Sequence, residues 1–288
     1  MCPARTLTNS SERGSLRPSG LLAAAIIAGS GCKGLQTTDG RVDWDQVGEA
    51  AGSVRAAFDD SPEKENMLGR ELAANLAARF GLLQDEAATR YLSLVGLAVA
   101  RKSERGASGW RFGILDTAAV NAYAAPGGFV FVTRGLLKRI NSEAELAGVL
   151  AHEVAHVELR HSMKALKAAK LLEAGGKAAK AAGAKDPKLG LAAGFLIGLA
   201  DKGFSRADEA AADSRGVALA GAAGYVPQGL PDALQKLYGA AEDKPLAAFG
   251  KRHPPLSARK RALDAALKSA PARGVWNPKR FRLGLATL

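Results

Sequence analysis

Residues 142–157, SEAELAGVLAHEVAHV, constrain the chain more than any other stretch. Ser142 with Glu145 three residues on is a capping box, in which two side chains satisfy orphan backbone donors at a helix start. Leu146, Val149, Leu150, Val154 and Val157 then recur at steps of three and four, which predicts a helix with a buried stripe. Within that helix, His152 and His156 are four residues apart, so they lie on one face, one turn above the other. Two imidazoles so placed can converge on a single metal ion, with Glu153 beside them as a base toward metal-bound water. The competing reading is an ordinary helix on which histidines happen to fall.

A catalytic zinc needs three protein ligands and one open position. A third histidine six residues beyond the second, after a glycine, would make the site a metzincin. Here His161 follows His156 by five residues with no intervening glycine, and a continuing helix points it away from the metal face. His161 is therefore expected to be a packing or surface histidine. A glutamate on a later helix is the other solution. Ser205 and Asp208 form a second capping box, and the helix they open carries Glu209 and, four residues on, Asp213. Glu209 is the expected third ligand, and Asp213 can accept the far N–H of a metal-bound imidazole.

The remainder of the chain reads as one large helical domain with a short β region. Helical patterning begins near residue 63, with ENMLGRELAANLAARFG and DEAATRYLSLVGLAVARKS. WRFGIL (110–115) and FVFVT (129–133) are β-like, and between them Pro126-Gly127-Gly128 signals a turn. Residues 163–188 are an Ala-, Lys- and Gly-rich run, and LGLAAGFLIGLA (189–200) is apolar but only twelve residues long; the segment 163–200 reads as a solvated helical hairpin packed on the core, or as a basic element touching membrane or gating the site. RHPPLSARKRALDAAL and a basic tail follow; there is no internal repeat.

The first residues predict export. Arg5, Arg13 and Arg17 precede the apolar run LLAAAIIA, then GSGC ending at Cys32. Eight apolar residues are too few to span a bilayer, for which about 20 are needed. The small residues before Cys32 resemble a bacterial lipobox, although Gly29 stands where leucine is usual. Residues 1–31 are thus read as a lipoprotein-type signal, 32–62 as a flexible tether and 63–288 as the catalytic domain. Cys2 leaves with the signal, so the mature chain holds a lone cysteine and no internal disulfide. The net charge of +12 favours anionic surfaces such as phospholipid headgroups. No aromatic-basic module of the kind that reads nucleic acid is present, so nucleic acid is not an expected partner.

In combination, NAYAAPGGFVFVTRGLL, SEAELAGVLAHEVAHVELRHS, FSRADEAAAD and RHPPLSAR resemble, in order, the gluzincin peptidases that include the CAAX prenyl endopeptidase, the heat-shock protease HtpX and bacterial outer-membrane lipoprotein metalloproteases. The resemblance covers roughly residues 66–262 and implies an α+β, mostly helical, zincin-type peptidase domain with a small mixed sheet beside an active-site helix. It implies one zinc per chain on His152, His156 and Glu209, with Glu153 as general base and Asp213 supporting His152. It also makes Asn121, Ala122, Tyr123 and Ala124 a substrate strand, whose backbone pairs with an extended peptide. His253, in HPPLSAR, has three readings: a transition-state donor, a reversible fourth ligand that closes the site, or a histidine held by a Pro-Pro turn at the domain rim. The expected function is a zinc endopeptidase lipid-anchored on the periplasmic side of the bacterial envelope, at the outer membrane, acting on misfolded or misassembled proteins. The alternative is a zinc-containing chaperone or assembly factor for outer-membrane proteins that cleaves rarely.

Overall fold

The computed structural model describes residues 61–178, 195–196, 198–199, 202–238 and 253–288, with only the helical backbone for 170–178. Cys32, the signal and nearly all of the tether lie outside these residues. Apart from the end of the fifth helix, every element below belongs to one compact unit, Asp59–Lys170 with Lys185–Leu288.

Helix α1 (Pro62–Phe80) starts where Ser61 accepts a hydrogen bond from the Lys64 N–H and proline occupies the first turn. The chain is thus helical from Pro62, a residue before the expected domain start. Asp85 caps α2 (Glu86–Ala100) in the same way. Three strands follow: β1 (Arg111–Leu115), β2 (Ala122–Ala125) and β3 (Phe129–Thr133). Their spatial order is β1-β3-β2, with β1 parallel and β2 antiparallel to β3. The small mixed sheet expected of the chain is therefore present.

Period-two alternation sorts the sheet's side chains between two cores. Phe129 and Phe131 of β3 and Tyr123 of β2 pack with Leu68, Leu72 and Leu76 of α1. Val130 and Val132 pack with α2 and with the helix that carries the histidine pair. Between β2 and β3, Gly127 and Gly128 have φ of 75° and 93°, and a Cβ on Gly128 would meet the Gly109 carbonyl oxygen at 2.7 Å.

After a one-turn helix α3 (Arg134–Leu137), α4 (Glu143–Glu158) runs through the centre, buried along its whole length from Glu143 to Val157. Its start is the expected cap with one difference. The Ser142 hydroxyl accepts from the Glu145 N–H at 3.2 Å, but the Glu145 carboxylate accepts from the N–H of Asn141 rather than that of Ser142. Lys236 sets that rotamer, placing its ammonium 2.8 Å from both carboxylate oxygens.

Helix α5 (His161–Ala178) follows α4 after a short break; α6 (Arg206–Ala222), α7 (Gly229–Tyr238) and α8 (Leu256–Ser269) complete the shell. In α6, Gly216 lies against the α4 backbone, and a Cβ there would sit 3.0 Å from the His152 nitrogen. This close approach lets the short carboxylates of α6 reach the α4 imidazoles. The expected basic tail contains a further helix, α9 (Pro278–Gly284), which buries Phe281 and is capped by Asn277. No helix among the described residues is long and apolar enough to cross a membrane.

Candidate metal centre

His152 and His156 project from the C-terminal half of α4 with their Nε2 atoms 3.0 Å apart. Glu209, in the first turn of α6, is fully buried, with Oε2 3.7 Å from His152 Nε2 and Oε1 3.6 Å from His156 Nε2. The three donors could hold one metal ion. Separations of 3.0–3.7 Å are those of tetrahedron edges around an ion about 2 Å from each ligand atom. A second observation supports the fit: Glu209 Oε1 is buried without a hydrogen-bond partner. Such an orphaned anionic oxygen is costly in a protein interior unless a cation answers it.

Around the cluster, the buried groups set one another's protonation. Burial disfavours charge on Asp213, but the Arg259 guanidinium and His152 outweigh it and hold its carboxyl down at about 2. Arg259 Nε donates to Asp213 Oδ2 at 2.8 Å and Nη2 to Oδ1. Asp213 Oδ1 also lies 3.1 Å from His152 Nδ1, the nitrogen facing away from the cluster. Burial lowers the basicity of His152, yet its bond to Asp213 leaves it raised overall. His156 has no comparable carboxylate and is pushed well below the usual histidine range by burial and its cationic neighbours. Burial drives Glu153 the other way, to about 7.

Several of the sequence-predicted residues come together on one cleft. It is lined by Asn121, Ala122, Tyr123, Ala124, Glu153, His156, Phe204 and His253, with Leu72 of α1 closing one side. Strand β2 is the outer strand of the sheet here, hydrogen-bonded on its β3 side. His253 is not at a rim: its Nδ1 donates to Glu209 Oε2 at 2.9 Å, and its ring lies 6.0 Å from that of His152.

Two residues carry more than the sequence revealed. Arg259 was visible only as part of HPPLSAR, yet it is almost completely buried, holds Asp213 and lies 3.6 Å from Glu209. His161 is buried and does not point away: its Nδ1 is 2.9 Å from Nδ1 of His156. The helix that would have carried it off the metal face ends at Glu158. Arg160 then adopts φ of 56°, and the turn swings His161 back.

Comparisons with known proteins agree with this geometry. The chain is similar to the beta-barrel assembly-enhancing protease of Yersinia pestis, 29% identical over 226 residues that make up 75% of this chain and 45% of that protein. It is 28% identical over 199 residues to the protein of that name from Escherichia coli K12, covering 66% of this chain and 40% of the relative. A shorter match joins it to the mitochondrial metalloendopeptidase OMA1 of Schizosaccharomyces pombe, 32% identical over 114 residues, 38% of this chain and 34% of that one. The chain thus spans less than half the length of these relatives. The profile of Peptidase family M48 matches residues 86–267, which are well over half of the chain and include the whole histidine–glutamate cluster, and the chain belongs to that family.

Proposed function

We propose that the protein is a zinc-dependent endopeptidase of the bacterial envelope that acts on extended segments of misfolded or misassembled proteins. One observation carries this reading: three buried donors, one bearing an orphaned carboxylate oxygen, sit beside Glu153 at a cleft along the outer edge of β2. His152, His156 and Glu209 would hold the zinc. When bound, zinc polarises a scissile carbonyl and lowers the pKa of water toward about 7.

The chain's own residues supply the rest. Glu153, raised by burial to about 7, takes a proton from the attacking water at its carboxylate and returns it to the leaving amine. Ala122, Tyr123 and Ala124 present backbone at the strand edge, where an extended peptide can add by main-chain hydrogen bonds, giving affinity with little sequence choice. Asn121 at the head of that strand lies on the same cleft. Asp213, fixed by Arg259, holds the His152 ring with Nε2 toward the cluster. His253, bonded to the candidate ligand Glu209, is a group that closes the site by taking up a fourth ligand position.

The envelope assignment rests on the predicted signal and lipidation of Cys32, on the basic charge and on the name of the bacterial relatives, which joins proteolysis to β-barrel assembly. That name also favours a second reading, an assembly factor that grips its clients and seldom cleaves. Purified protein should cleave casein in the presence of zinc, and Glu153→Gln should abolish cleavage while retaining about one zinc per chain. Zinc binding without any cleavage by the unaltered protein would favour the assembly factor; loss of zinc from Glu153→Gln would overturn the role given to Glu153.

A further inference from the structure

Each candidate zinc-binding imidazole turns Nε2 to the cluster and so leaves Nδ1 to be answered elsewhere. For His152 the answer is Asp213, the usual carboxylate solution. For His156 it is a third histidine: His161 Nδ1 stands 2.9 Å away. Two ring nitrogens at that distance share one proton. A cation on His156 requires the lone pair of Nε2, which leaves the proton of that neutral ring on Nδ1. His156 Nδ1–H is then the donor and His161 Nδ1 the acceptor, so the proton of His161 resides on Nε2. That nitrogen faces Asp208, whose Oδ1 is 3.6 Å away. Asp208 is itself held by the capping box of α6, its N–H donating to the Ser205 hydroxyl at 3.2 Å.

The surroundings keep the two imidazoles dry and fixed, while Asp208 at the end of the line is one-third exposed. His161 is 3% exposed, and the Phe204 ring stacks on His156 at 4.3 Å between centroids and 22° between planes. The turn that delivers His161 places Arg160, a residue with a Cβ, in the left-handed region, a strained conformation that persists only when neighbours enforce it. The enforcing group is Glu65 of α1, before the segment that matches the family profile. Its buried carboxylate takes Arg160 Nη2 at 3.0 Å, Arg105 Nη1 at 2.8 Å and the N–H of Gly127 at 3.0 Å.

We propose that His161 is a positioning residue, which accepts the Nδ1–H of His156 and thereby fixes the tautomer and ring orientation of that ligand, with Asp208 backing its other nitrogen. The proposal rests on the reading of His152, His156 and Glu209 as the zinc ligands. It makes the two halves of the site unlike: His152 is supported by a charge, and His156 by a neutral acceptor.

The test uses the full chain and compares His161→Asn, His161→Gln and His161→Phe. Asparagine places its amide oxygen where Nδ1 stands and can still accept; glutamine places it nearer the position of Nε2, and phenylalanine fills the space without accepting. Zinc affinity is measured by competition with a chromophoric chelator, the ligand field by the visible spectrum of the cobalt-substituted protein, and the fold by circular dichroism. His161→Phe and His161→Gln should bind zinc about 10–100-fold more weakly and shift the cobalt spectrum, while His161→Asn restores most of both. Unchanged affinity and spectrum in folded His161→Phe or His161→Gln would overturn the proposal. So would a His161→Asn variant no better than its apolar counterpart, because the histidine would then act by packing alone. Should His161→Phe fail to fold, the comparison of glutamine with asparagine still decides. Failure of the unaltered protein to bind zinc would overturn the metal reading itself, a result distinct from unaltered binding in the variants.

Discussion

Arg259→Met is the change for which the structure gives the firmest magnitude. Arg259 is 1% exposed and bonds both oxygens of Asp213, which is fully buried, as is Glu209 3.6 Å away. Holding Asp213 at about 2 instead of its ordinary 3.8 corresponds to about 2 kcal/mol that Arg259 and His152 supply together beyond the burial they offset. Removing the guanidinium while leaving both carboxylates buried loses more than that net figure, about 3–5 kcal/mol by analogy with broken buried pairs. In a domain of this size that is a fall of roughly 6–20 °C in Tm. Urea unfolding of zinc-free protein at neutral pH, followed by circular dichroism, reads it directly. Arg259→Lys should fall between the two, because an ammonium keeps the charge but cannot bond both oxygens in the same fork. The double variant Asp213→Leu/Arg259→Met should recover part of the loss, since it leaves one fewer buried charge unanswered. A single-variant loss below about 1 kcal/mol, or a double variant as poor as the two singles added, would refute the account of Arg259 as the counter-charge of the site.

Glu209→Ala should abolish stoichiometric zinc binding together with cleavage, as metal analysis of the purified variant would show; full zinc retention would mean a different third ligand. His253→Ala is expected to raise turnover by keeping the fourth position open, and a fall by about 10²–10³ would instead make His253 a transition-state donor. Cys32 should carry acyl chains at the mature amino terminus, detectable by mass spectrometry, and an unmodified terminus beyond it would refute the anchor. For Glu143, burial disfavours the charge, but Arg280, Tyr91 and Tyr225 prevail and lower its pKa. A lowered carboxyl contributes stability above its unfolded value of about 4.3 and loses it as pH falls through the folded value. Glu143→Gln should therefore flatten the acid limb of the stability curve below about pH 4.3, measured by urea unfolding.

The parts of the site that were legible in the sequence are those in which two local signals coincide. For His152, Glu153 and His156 a capped helix and a metal spacing overlap, and for Glu209 and Asp213 a second cap precedes one buried face. The fold class was legible for the same reason, with helix caps at Ser142 and Ser205. What escaped depends on backbone that leaves regular geometry or on partners far along the chain. Arginine carries no preference for the left-handed region that Arg160 adopts, so nothing announced the turn that brings His161 onto His156. Asp213 and Arg259 are separated by 46 residues, a pairing no spacing rule reaches. Strand β2, AYAA, is poor in β-branched residues, so it owes its pairing to β3 and the core rather than to propensity. Helix α9 was missed for a weaker reason: Asn277 before Pro278 is a helix-start signal, hidden by the basic composition around it.

Burial of α4 along its length explains how the fold and the site come from the same contacts. A helix with no solvent face must have each of its polar side chains answered by another element. Tyr91 of α2, Tyr225 after α6 and Arg280 of α9 converge on Glu143, and Lys236 of α7 meets Glu145. Asp213 of α6 meets His152, and His161 at the start of α5 meets His156. Each pairing names one neighbour, so together they allow few arrangements of helices around α4. Glu153 has no such ion-pair partner among the described residues, and burial is the largest influence on it, raising its pKa to about 7. The helix thus spends four of its five buried polar positions on specifying its neighbours and leaves the fifth, Glu153, for the proposed transfer of a proton.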